Sequence, residues 1–267
     1  MKKENFYIGI DIGGTHARIT SFSSLKELEF KGTKIITLTH NFENDFNEIL
    51  KTVKSIKSKD ITAIGVGLPG VLNEEKNLLI SATNIPEWVN FDIKSKLIQI
   101  FQCRVFLEND AVTSALGEAL YGGVQTEDFI YMIWGTGIGG ATVELKPTLK
   151  VQKLSAESYI TDLRHSLYGK FLLEKYNKPL RELESEEWNE VMFNFSKLII
   201  HISDNFKIKN IIIAGGIALK QKARLELLAK KLKEENNINL RTTNLGDHHT
   251  FGLYGVAGFL ATIMEFE

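Results

Sequence analysis

The chain has 267 residues, 43% of them hydrophobic, and 32 Lys and Arg stand against 33 Asp and Glu for a net charge of −1. That length supports one large domain or two lobes around a sizeable core, and the near-neutral balance offers no basic face for nucleic acid. A single cysteine, Cys103, excludes an intrachain disulfide and a cysteine-rich zinc centre, and reads as a small core residue in a reducing compartment.

Lys2 and Lys3 are followed by Glu4 and Asp11, which interrupt any apolar signal segment. No apolar run reaches the roughly 18 residues of a membrane span, so a soluble cytoplasmic protein is expected. Apolar residues 6–10 lead into Asp11-Ile-Gly-Gly-Thr15 and out through a second strand at 17–22, with a third strand at 34–39. A helix at 44–57 carries Phe46, Ile49, Leu50 and Val53 on one face. A strand at 61–66 ends in Gly67-Leu-Pro-Gly70, and a turn around 73–77 leads to Asn84-Ile-Pro-Glu-Trp88 and a helix at 93–101. A strand at 105–107 finishes at Glu108-Asn109-Asp110, and a helix at 111–121 closes on Gly122-Gly123.

Met132-Ile-Trp-Gly-Thr-Gly-Ile-Gly-Gly140 then repeats the outline of residues 8–15 and leaves as a strand at 141–145. Two such copies predict two similar lobes. Between 157 and 205 the spacing is helical, and Trp188, Val191, Phe195, Leu198, Ile199 and Ile202 form a stripe that reads as core or, in part, as a homodimer contact. The charged stretch 181–190 reads as a solvated connection or helix start. A strand at 210–213 opens into Ala214-Gly-Gly216.

Glycines in such turns permit positive φ and let main-chain N–H groups face a bulky anion, while Thr15 and Thr136 add hydroxyl donors. Asp11 stands among apolar neighbours, where an unpaired carboxylate is costly and a hydrated Mg²⁺ would relieve it. The alternative is a pair of glycine-bearing hairpins in which Asp11 caps a turn. Gly65–Gly70 and Gly135–Gly140 both spell G-x-G-x-x-G, yet neither opens a helix, so the dinucleotide reading fails on context, and no G-x-x-x-x-G-K-[ST] run exists. Asn109 and Asp110 suit a helix N-cap, and Asp110 equally suits a general base at the carboxyl end of a strand.

Asp11-Ile-Gly-Gly-Thr15, Gly65-Val-Gly-Leu-Pro-Gly70, Asn84-Ile-Pro-Glu-Trp88, Glu108-Asn-Asp-Ala111, Gly135-Thr-Gly-Ile-Gly-Gly140 and Ala214-Gly-Gly216 occur in order. In these motifs the chain resembles the ROK family of sugar kinases, the group of bacterial glucokinases and N-acetylmannosamine kinases. The resemblance implies an α/β chain with the two-lobed actin-like (ribonuclease H-like) ATPase fold, mixed sheets and flanking helices. It implies a smaller N-terminal lobe at 1–108, completed by a C-terminal helix at 250–267, and a larger lobe at 109–249.

By that similarity Asp11, Gly13, Gly14 and Thr15 belong to the first phosphate motif, Gly135, Thr136 and Gly137 to the second, and Gly215 and Gly216 to the adenosine motif. Asp110 matches the catalytic aspartate that takes a proton from a sugar hydroxyl, in most of the family the 6-OH. Asn109, Gly70 and Glu157 fall in the sugar-binding motifs. The implied ligands are ATP, Mg²⁺ held by Asp11 through water, and a hexose or N-acetylhexosamine, with Mg-ATP bound between the lobes.

The sequence departs from the family after Leu145, where a Glu-x-Gly-His sugar motif and a cysteine-rich zinc loop are usual. Here Ala156-Glu157 is followed by Ser-Tyr-Ile, without the glycine, the histidine or a Cys-x-Cys pair, so no structural zinc is expected. His16 stands where many relatives have lysine, and His248 and His249 read as solvated loop residues; none is given a role. A catalytically silent sugar- or nucleotide-binding relative is the alternative to the kinase. A ROK repressor is the weakest reading, because such proteins place a helix-turn-helix before the first phosphate motif and only seven residues precede Ile8.

Overall fold

A computed structural model describes residues 5–124 and 127–264. Lys2, Lys3, Glu4 and the last three residues of the expected 250–267 segment lie outside that range. The chain divides into two compact units, one running to Gly122 and resuming at His249, the other Gly123–His248.

The first unit is built on β1 (Tyr7–Ile12), β2 (His16–Phe22), β3 (Lys31–Thr37), β4 (Ala63–Leu68) and β7 (Arg104–Asn109), in the order β3-β2-β1-β4-β7. The first three strands pair antiparallel, and β1, β4 and β7 run parallel. Every residue of β1 and β4 is buried, as expected of central parallel strands covered on both faces, whereas Lys-rich β3 is an exposed edge. A short hairpin of β5 (Val71–Leu72) and β6 (Leu79–Ser81) follows β4. Helix α1 (Phe42–Ile56) starts two residues before the position expected from periodicity, because the Asn41 side chain accepts from the Asn44 N–H and caps it. It buries Phe42, Phe46, Ile49 and Val53, while α2 (Ile93–Phe101) is capped by Asp92.

Helix α3 (Asp110–Tyr121) packs on α9 (Phe251–Met264) through bare main chain: a Cβ at Gly255 would stand 2.7 Å from Ser114 Cα, and one at Gly258 2.8 Å from Gly117 Cα. That packing puts α3 in the first unit, whose first segment ends at Gly122, where the resemblance implied a lobe ending at 108.

The second unit repeats the scheme with β8 (Phe129–Trp134), β9 (Ile138–Glu144), β10 (Lys150–Lys153), β11 (Asn210–Ala214) and β12 (Asn239–Thr242), ordered β10-β9-β8-β11-β12. Again three strands are antiparallel neighbours and three run parallel, so the repeated turn sequences occupy equivalent hairpins, β1-β2 and β8-β9. The helical region expected from 157 onward is broken into α4 (Thr161–Ser166), α5 (Gly169–Tyr176) and α6 (Ser185–Phe206), followed after β11 by α7 (Gly216–Lys220) and α8 (Lys222–Asn236). Helix α6 begins with a Glu184/Glu187 capping box, so the charged stretch is partly its N-terminus, and it buries Trp188, Val191, Phe195, Leu198, Ile199 and Ile202. Phe195 stacks on Trp134 of β8 at 4.1 Å. No helix among the described residues is long and apolar enough to cross a membrane.

Candidate active site

In the first unit the register aligns the carboxyl ends of three parallel strands: Asp11 lies beside Gly67, and Gly67 beside Glu108. Two strand spacings, roughly 10 Å, separate Asp11 from Glu108, the second residue before Asp110. Open α/β sheets place their chemistry at this edge. Gly67 is bare because a Cβ there would meet the Thr113 hydroxyl at 3.1 Å.

Asp11 is buried, but it is not unpaired as the sequence suggests. β-pairing sets Arg18 directly opposite, and its Nη1 donates to Asp11 Oδ2 at 3.4 Å. Burial pushes the Asp11 carboxyl above its usual range, and the Arg18 guanidinium opposes the shift. The carboxyl also rests against Gly252 in the first turn of α9, where any Cβ would overlap it. A metal ion is therefore not required to account for a carboxylate in this place. Arg18 and Gly252 escaped the motif reading. A hairpin turning over Gly13–His16 does put 11 opposite 18, but nothing local announces Gly252.

The Gly13 N–H donates to the His16 carbonyl at 2.8 Å, and the Leu38 N–H to the Thr15 carbonyl at 2.9 Å. Gly13 does not adopt positive φ, nor do Gly135, Gly140 and Gly216; among the site glycines the left-handed region is occupied by Gly70 (φ +114) and Gly215 (φ +104). The expectation of left-handed turns thus holds only at Gly70 and Gly215, while Gly140 is glycine for space, a Cβ there lying 2.8 Å from the Tyr131 carbonyl oxygen.

At the β7–α3 junction Asn109 is the N-cap. Its Oδ1 accepts from the N–H groups of Ala111 (3.1 Å) and Val112 (3.4 Å), and its Nδ2 donates to the carbonyls of Gly70 (2.9 Å) and Leu68 (3.4 Å). Those four contacts make Asn109, which the resemblance places at the sugar, the link between the start of α3 and the chain that follows β4. Gly70, likewise expected at the sugar, lends its carbonyl to Asn109. Asp110 is half-buried, with Oδ1 accepting from the Ala111 N–H at 2.9 Å. Next to it, Glu108 accepts from the Asn109 N–H at 2.8 Å and from the ammonium of Lys76 on the β5-β6 hairpin.

In the second unit the Gly135–Gly137 turn and the Gly215-Gly216 turn adjoin. A Cβ at Gly135 would find only the Gly216 N at 3.9 Å, and one at Gly216 nothing within 4 Å, so two stretches of bare main chain border open space. At Gly215 a Cβ would strike the Trp134 backbone. This cradle fits a nucleotide phosphate or sugar edge approaching main-chain donors. Glu157 lies on an exposed 3₁₀ turn, Ala156–Ser158, its carboxyl held below the usual range by the Ser155 hydroxyl and its own N–H. Among the described residues no three His, Cys, Asp or Glu side chains gather as a metal cluster.

The two equivalent sheets, each with a glycine turn at its first hairpin, define an α/β ATPase-type fold. The ROK family pattern matches residues 7–146, more than half of the chain, and the chain belongs to the ROK family. A glucokinase of Thermotoga maritima is 30% identical over 138 residues, 51% of this chain and 44% of that protein. A xylose repressor of Caldicellulosiruptor bescii is 30% identical over 143 residues, 51% of this chain and 36% of the repressor. The matched part spans less than half the length of either relative. A ROK family glucokinase from Streptomyces griseus, solved with glucose and AMPPNP, superposes with a TM-score of 0.74 at 19% identity, covering 96% of this chain and 99% of that one. A polyphosphate/ATP-glucomannokinase from Arthrobacter superposes with a TM-score of 0.73 at 22% identity, covering 97% and 99%. The fold is accordingly the actin-like α/β fold of ROK sugar kinases.

Proposed function

We propose that the protein is an ATP-dependent sugar kinase that phosphorylates a hydroxyl, the 6-OH, of a hexose or N-acetylhexosamine. The observation that carries this reading is Asp110 opening a helix at the strand edge that also holds Asp11. One carboxylate oxygen of Asp110 is oriented by the Ala111 N–H, and the carboxylate takes the proton of the sugar hydroxyl as it attacks the γ-phosphorus. The bare turns at Gly135–Gly137 and Gly215-Gly216 offer main-chain donors to the nucleotide. Mg²⁺ arrives with ATP as part of the substrate, and Asp11 faces it through water while sharing its charge with Arg18. Glu157, exposed and ionised, is the remaining candidate for a sugar contact. Asn109 acts one step back, fixing the start of α3 and hence Asp110.

The same reading implies a cytoplasmic protein without structural zinc. It also allows a homodimer through exposed apolar residues of the second unit such as Phe171 and Phe193. A catalytically silent sugar- or nucleotide-binding relative is the second reading, favoured by the exposed Glu157 and by the matches to repressors. The deciding measurement is ADP release with Mg²⁺ and ATP across hexoses and N-acetylhexosamines, with Asp110→Asn alongside. Sugar-dependent turnover lost in Asp110→Asn is expected. Thermal stabilisation by ATP or sugar without turnover would replace the kinase reading with the silent one.

A further inference from the structure

The phosphate turn of the second unit is braced from behind. Four successive carbonyls accept hydrogen bonds from the protein: Gly135 from the Gly169 N–H (3.0 Å), Thr136 from the Lys170 N–H (3.5 Å), Gly137 from the Gly135 N–H (2.9 Å), and Ile138 from Arg164 Nε (3.0 Å) and Nη2 (2.7 Å). In a trans peptide the N–H points opposite the C=O of the same unit. Holding these carbonyls therefore sets the direction of the N–H groups that follow them at Thr136, Gly137 and Ile138, while Gly139 lies opposite Ile133 in the β8-β9 ladder on which the turn stands. It also keeps the carbonyl dipoles from turning toward an anion.

Three of the four brackets come from the α4–α5 corner. That corner is itself anchored where Trp134 Nε1 donates to the Leu167 carbonyl at 2.8 Å. The Arg164 guanidinium lies 4.2 Å from the Tyr159 ring and 5.6 Å from the Tyr168 ring, which hold it in place. Gly169 is bare for the same contact: a Cβ there would stand 2.7 Å from the Gly135 carbonyl oxygen.

We propose that Arg164 is a positioning residue for nucleotide binding, preorganising the Gly135–Gly139 main chain through the Ile138 carbonyl and adding positive charge behind it. This rests on the kinase reading, in which that turn meets ATP phosphates. A donor that prearranges main-chain dipoles lowers the reorganisation needed on binding and acts on nucleotide affinity ahead of the chemical step.

The test is calorimetric titration of the full chain with Mg-AMPPNP, with Arg164→Gln, Arg164→Lys and the exposed-surface control Arg181→Gln, alongside thermal melts. Arg164→Gln is expected to weaken binding about tenfold, Arg164→Lys less because it retains one donor, and Arg181→Gln not at all. In turnover assays KM for ATP should rise while kcat at saturating ATP stays within about twofold. A purely structural residue would lower melting temperature and active fraction without moving KM for ATP. If Arg164→Gln does not fold, Arg164→Lys and Gly169→Ala carry the same prediction of weakened nucleotide binding. Wild-type binding with unchanged affinity in the Arg164 variants overturns this proposal alone. Failure of the wild type to bind nucleotide overturns the kinase reading and this proposal with it.

Discussion

Gly252→Ala isolates how the buried Asp11 is held. The added methyl would overlap the Asp11 carboxyl, lying 2.7 Å from Oδ1 and nearer still to Cγ and Oδ2. An ordinary contact needs about 3.4 Å or more, so either the carboxylate or the first turn of α9 must move by roughly 1 Å. Overpacking of this kind costs about 1–3 kcal/mol. Pushing the carboxylate off Arg18 adds to it, because a buried charge then loses its partner. A total near 2–4 kcal/mol corresponds to roughly 5–15 °C in melting temperature at this chain size. A double-mutant cycle by thermal melting makes the origin explicit: in an Asp11→Ala background the obstruction is gone, and Gly252→Ala should cost little. Equal penalties in both backgrounds would refute the steric argument, as would a wild-type melting temperature for Gly252→Ala alone.

Because burial raises the Asp11 pKa, the native state holds that proton more tightly than the unfolded chain, so ionisation removes stability as pH climbs from about 4 through the raised value. Asp11→Asn, with no proton to lose, should therefore gain stability relative to wild type as pH rises above about 4, and a gap in melting temperature that does not change with pH would contradict the shift. Thr136→Val should chiefly weaken ATP binding, and unchanged affinity by titration would count against that turn as a phosphate site. Cys103 is half-buried with its thiol pushed up to about 11, so its native-state alkylation by iodoacetamide should be slow at pH 8 and accelerate about tenfold per pH unit up to pH 10. Mass spectrometry showing the rate of a free thiol at pH 8 would overturn that assignment.

Much of the fold was legible because it is written in near neighbours. Alternation and apolar runs mark β1, β4, β8 and β11; Gly-Gly-Thr and Gly-Thr-Gly mark where hairpins turn; and the doubled outline announces two equivalent sheets. The order Glu108-Asn-Asp110 at a strand end likewise marks a strand-to-helix junction whatever surrounds it. Boundaries were less legible: the helical region expected over 157–205 holds three helices, and the break between α4 and α5 comes where that corner turns back onto Gly135, a contact that periodicity does not encode.

By itself, then, the sequence determined the α/β class, the two glycine turns and the placing of Asp110 at a helix start, since each depends on residues within a few positions along the chain. Tertiary structure alone decided that Asp11 is confined by Gly252, that Asn109 bonds to Gly70 and Leu68 as well as to its own helix, and that Arg164 braces the second turn. These partners lie far apart in the chain or meet only through strand register and helix packing. Whether a polar group is free or already satisfied depends on which atoms surround it in space, and a linear pattern of residue types carries no record of that.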